Sequence, residues 1–199
     1  MSKQVRAASL VTMAALLLTG CTTGATPQPT PSYTPKVYVN APLTGMPFEE
    51  GTRPSLDGPS VACKIDNVHT ETLKANINRT DLVYVEMVEG GLTRLVAVWH
   101  SDLPTAVGPV RSIRPMDPDI ISPFGGIVCY SGGQLKFVNM MRATSVFNAS
   151  ETTEQGKGTF KRLSNREAPH NVQVDVKLLA SAHPELAAPQ QAFDFAGLT

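Results

Sequence analysis

Short apolar runs bounded by turn-forming residues recur between positions 60 and 130. The run at 60–65, SVACKI, reads as a buried strand that ends in Asp66-Asn67. Residues 82–88 and 92–100 are apolar at both alternating sets of positions, as strands covered on both faces are, with Glu86 the exception. Between them, Glu89-Gly90-Gly91 suits a tight hairpin, because glycine accepts positive φ. With Gly90-Gly91 as the loop, Met87 faces Arg94 and Glu89 is its diagonal neighbour. A register shifted by one puts Glu86 opposite Arg94. Either register brings a carboxylate to a guanidinium.

The pattern then changes period. Residues 102–109 read as loop, followed by Arg111-Ser112-Ile113-Arg114. A helix opening at Ser112 or Ile113 and running through 115–122 would place both arginines near its N-terminus, with Pro115 in its first turn. Residues 125–130 predict a strand, Gly132-Gly133 a turn, and 134–142 a helix with Leu135, Val138 and Met141 on one side. A short helix is expected at 73–79 and another at 174–182, after the Ala168-Pro169-His170-Asn171-Val172 turn. Residues 143–166 are mostly polar loop apart from Ser145-Val146-Phe147. Strand, glycine turn and helix in series define the fold class: one α/β domain at 43–183, with a mixed central sheet flanked by helices.

The ends differ. Lys3 and Arg6 precede an apolar run at 7–18, too short to span a bilayer, and Leu18-Thr19-Gly20-Cys21 has the form of a bacterial lipobox. Residues 1–20 therefore read as a lipoprotein signal peptide, with acyl chains such as palmitate on Cys21. A plain cleaved signal and an uncleaved anchor are the alternatives. The predicted location is the cell membrane, on its extracytoplasmic face. Residues 21–42 form a Pro/Thr-rich tether, and 184–199 resemble a linker.

Composition narrows the partners. The chain has 199 residues with 17 basic and 17 acidic side chains. A zero net charge supplies no global basic field, so no nucleic acid is expected. Cys63 and Cys129 remain besides Cys21. Both sit in apolar strand-like runs and read first as buried free thiols of the core, with a disulfide, which an export route permits, as the alternative.

Several side chains carry candidate chemistry. Two guanidiniums at Arg111 and Arg114, flanking Ser112, suit a carboxylate or phosphate. The alternative is that each braces the fold against a carboxylate such as Glu86 or Glu89. Glu86, Glu89 and Asp66 could also supply an acid/base pair for glycan cleavage. His170 beside Asn171 is a candidate base or donor, or a loop brace. His69 has no ligand-rich spacing around it, so no metal is expected. No Walker loop, Gly-x-Ser-x-Gly or His-Glu-x-x-His is present, and no cofactor is expected. Trp99 reads as core or rim before a sugar platform.

The series LTGMP, KIDN, DLVYVEMVEGGLTRLVAVW, GPVRSIRP, SGG and APHNV resembles the YerB-like bacterial envelope lipoproteins, from Pro42 to Ala182. The resemblance implies an α/β domain on the outer face of the membrane and brings no defined reaction with it. It marks Asp66, Asn67, Glu86, Glu89, Gly90, Thr93, Arg94, Gly108, Pro109, Arg111, Ser112, Arg114, Pro169, His170 and Asn171 as matching positions. Family members usually continue into a second, C-terminal domain; the resemblance stops at Ala182, so that domain is not expected within these 199 residues. The leading expectation is a lipid-anchored, non-catalytic module that binds an anionic cell-wall polymer or envelope protein. A cell-wall glycan-processing enzyme and a scaffold for a partner complex are the alternatives.

Overall fold

In the computed structural model, which describes residues 34–68 and 74–195, the strand periodicity becomes a five-stranded sheet with a core on each face. All the elements lie in the unit Lys36–Thr199. The signal segment, Cys21, most of the tether, His69 and Leu73 lie outside the described residues.

A two-stranded ribbon comes first, β1 (Tyr38–Asn40) against β2 (Pro47–Glu49). The main sheet uses β3 (Val61–Asp66), β4 (Leu82–Met87), β5 (Thr93–Trp99), β6 (Ile127–Tyr130) and β7 (Phe147–Ser150), in the order β4-β5-β3-β6-β7. β5 is antiparallel to both of its neighbours, whereas β3, β6 and β7 run parallel. A second ribbon pairs β8 (Phe160–Arg162) with β9 (Val172–Val174). The helices are short: α1 (Asp117–Ile121), α2 (Leu135–Arg142) and α3 (Val176–Ser181).

Alternation along the central strands builds both cores. Val61, Cys63, Ile65, Ala97, Trp99 and Cys129 face one side, beneath Val107, Val110, β9 and α3. Ala62, Val96, Val98, Val128 and Tyr130 face the other, beneath Leu43, Ile113, α1 and α2. Cys63 and Cys129 are register partners on adjacent parallel strands, with Cα atoms 4.5 Å apart, and form a disulfide. Trp99 is fully buried, and its indole N–H donates to the Asn76 carbonyl.

The α/β class is as expected, and several local elements differ. β4 is an edge strand, not a doubly covered one: Val83, Val85 and Met87 are 43%, 67% and 73% exposed. The hairpin is longer than two residues. Glu89–Gly91 forms a 3-10 turn, Gly90 and Gly91 take φ of 74° and 71°, and Val88 N–H donates to the Leu92 carbonyl at 2.8 Å. The register is the one that sets Glu86 opposite Arg94. α1 starts at Asp117, several residues later than Ser112 or Ile113. Among the described residues of the helix expected at 73–79, which are 74–79, only Ile77–Arg79 turns helically, while Ala75 bridges Gly108. The polar stretch at 143–166 contributes β7 and β8. Val172–Val174 is strand, so the following helix begins later, where the Asp175 carboxylate caps it by accepting from Leu178 N–H at 2.8 Å. In α2, Leu135 is exposed and Phe137, Val138 and Met141 are buried. After α3 the chain stays close: Leu186 packs against the core, and Ala192 N–H donates to the Pro42 carbonyl.

Candidate functional site

Three parallel strands end on the same side of the sheet, at Asp66, Tyr130 and Ser150. In open α/β sheets the carboxyl ends of parallel strands are where ligands bind. Most of the candidate residues gather here.

Asp66 sits at the end of β3, opposite Arg94 at the start of β5. Its carboxylate meets the His170 ring at Nδ1 and lies 3.5 Å from Arg111 Nη1. Arg111 Nη1 also lies 3.0 Å from His170 Nδ1. One ring nitrogen cannot donate to Asp66 and accept from Arg111 together. The tautomer protonated at Nδ1 gives the buried carboxylate two donors and is the better assignment. Burial works to raise the Asp66 carboxyl. The His170 bond, the Arg111 charge and the Val68 N–H outweigh it and hold Asp66 below its usual range.

Arg94 is 6% exposed and donates from Nη1 to the Ser112 carbonyl at 2.9 Å. Its Nε is buried and has no partner among the described residues. Burial first, then the like charges of Arg114 and Arg111, lower the Arg94 guanidinium, against the pull of Asp66 and Glu89. Arg114 Nε donates to Glu89 at 2.7 Å, and its Nη1 returns to the Ile113 carbonyl. Glu89 is exposed, and its own N–H and Arg114 hold its carboxyl low.

The loop after β6 fixes this arginine segment. Ser131 N–H donates to the Arg111 carbonyl at 3.1 Å, and Ile113 N–H to the Gly132 carbonyl at 2.9 Å. A Cβ on Gly133 would stand 2.8 Å from the Ile113 side chain, so the close approach requires glycine there.

The other candidates serve different ends. Asn67 donates to Thr93 Oγ1 at 2.8 Å and ties β3 to β5. Asn171 accepts from Arg162 at 3.0 Å, at the start of the β8–β9 ribbon. Glu86, directly across from Arg94, does not pair with it; Lys64 and Asp117 take Glu86 into a closed interior group. Burial, ahead of the neighbouring Asp117, pushes the Glu86 carboxyl up to about 7. Neither Lys64 nor Asp117 stood out in sequence. A lysine inside a doubly covered apolar strand was the available signal, since a charge there must be matched. A separate cavity of about 600 Å³ opens near Ser101 and Asp102, lined also by Arg53, Arg79 and Lys177. None of the candidate residues lines it.

This arrangement is that of an α/β domain with a cationic rim at the carboxyl edge of its sheet. The chain belongs to the family described as protein of unknown function (DUF3048), N-terminal domain, whose model matches residues 43–189. It is similar to YerB of Bacillus subtilis strain 168, whose name marks it as a lipoprotein: 30% identity over 94 residues, 47% of this chain and 28% of YerB. The chain thus spans under a third of that relative. The crystal structure of YerB from Bacillus subtilis superposes with a TM-score of 0.68 at 22% identity, covering 79% of this chain and 55% of that one. That likeness shows the fold.

Proposed function

We propose that the domain is held at the outer face of the membrane through Cys21 and binds an anionic group of a cell-envelope polymer or protein at the Arg94–Arg111–Arg114 rim, without catalysis. The lipobox form of Leu18-Thr19-Gly20-Cys21 and the relative's name support the anchoring. One observation carries the binding reading. Three guanidiniums converge on two carboxylates, Asp66 and Glu89, and the buried Arg94 Nε is left without a partner among the described residues. A buried donor left unpaired costs about 1–3 kcal/mol, which an incoming oxyanion at the rim would offset. The carboxylates that glycan cleavage would need are committed elsewhere: Glu86 to Lys64, Asp66 to His170 and Arg111, Glu89 to Arg114.

The test uses the full chain, purified phosphate-bearing and carboxylate-bearing wall polymers, and polyphosphate. Binding should weaken steadily as salt rises through the range that screens charges. Arg111→Ala with Arg114→Ala should abolish it. Binding unchanged by that double substitution would remove the proposal.

A further inference from the structure

Lysine is almost never fully buried unless matched. Lys64 is sealed on the face of β3 that carries Ala62, and its side chain reaches across β5. Nζ lies 2.7 Å from Asp117 Oδ1 and contacts Glu86 Oε2. All three groups are buried, in the core that also holds Val96, Ile113 and Ile121. Two carboxyls share one ammonium, so electroneutrality leaves a proton on one acid. Glu86 holds it, because burial raises its carboxyl above the usual range. The remaining Asp117 oxygen, Oδ2, accepts the backbone N–H of Arg114. An amine, an acyl carbon, an acid and an oxyanion donor therefore stand together in a dry enclosure.

We propose that Lys64 and Asp117 are joined by an intramolecular amide, formed with Glu86 as the proton-transferring acid, which links β3 covalently to the first turn of α1. Lys64 passes one proton to Asp117 Oδ1 across their 2.7 Å contact. Nζ attacks Cγ, and the charge developing on Oδ2 is held by the Arg114 N–H. A second proton moves from Nζ through Glu86 onto Oδ1. The Cγ–Oδ1 bond breaks, one water leaves, and the Nζ–Cγ bond remains. Glu86 ends with the proton it began with. No oxidant, reductant or cofactor takes part. Fixing amine and acid in one site corresponds to effective concentrations of about 10⁵–10⁸ M, which makes an ordinarily slow condensation accessible.

The full chain, folded and then reduced and alkylated, is weighed intact and mapped by proteolysis. The proposal expects a mass lower by one water and a branched peptide joining the Lys64 fragment to the Asp117 fragment. Lys64→Met and Glu86→Gln should each restore the full mass. A folded chain of unreduced mass would overturn the proposal. So would water loss confined to the Asp57-Gly58 fragment, where backbone cyclisation gives the same change. Water loss that persists in Glu86→Gln would overturn the role given to Glu86.

Discussion

Lys64 and Asp66 lie two positions apart on the same strand and the same face, yet they belong to different kinds of charge cluster. Lys64 is sealed with Glu86 and Asp117 beneath Ile113 and α1. Asp66 sits where β3 runs out, and its partners, Arg111 and His170, come from loops that reach water. The inner cluster is satisfied internally and offers nothing to a ligand. The outer one has cations to spare. Distance from the end of the sheet, not residue type, decides which role a charge takes.

The largest effect should come from breaking the inner cluster. Lys64→Met strands two buried carboxyls, and removing one partner of a buried pair costs about 3–5 kcal/mol. Urea denaturation should show a loss of that size. Cys63→Ala with Cys129→Ala, on the opposite sheet face, should cost about 2–5 kcal/mol while leaving polymer binding intact. Impaired binding in that variant would show that the rim depends on more than its own segment.

The two clusters should also respond to pH with opposite sign. Glu86 keeps its proton in the fold up to about 7 but loses it near 4.5 when unfolded, so the native chain binds more protons across that window. Stability should therefore fall as pH rises from 4.5 to 7, and Glu86→Gln should flatten the slope. Asp66 is held below its usual 3.8, so its contribution is present above that value and is lost as pH falls through the lowered one. His170→Ala should shrink this acid limb alone. The smallest effect belongs to Glu89→Ala: its exposed pair with Arg114 is worth about 0–1 kcal/mol, and freeing the guanidinium should strengthen polymer binding.

Much of this was legible along the chain. Apolar runs located β3, β5 and β6, and charge inside apolar sequence singled out Glu86, Arg94, Arg111 and Arg114. The partners were less legible, because alternation tells which residues share a face but not which strand lies beside which. β3 inserts between β5 and β6, and only that order brings Lys64 to Glu86 across β5. Apolarity alone also misplaced β4. Val83, Val85 and Met87 look like core positions, but the sheet stops there and leaves them exposed. α1 was set too early because Arg114 N–H turns to the Asp117 side chain, and the helix begins only at Asp117.

The bond between Cys63 and Cys129, 66 positions apart, closes a ring that contains Asp66, Glu86, Glu89, Arg94, Arg111 and Arg114. A single protease cut in any loop of that ring leaves one molecule. A nicked domain would keep both halves of its cationic rim tied together, and for a cut between Lys64 and Asp117 the proposed amide would hold them even after a reductant opened the disulfide.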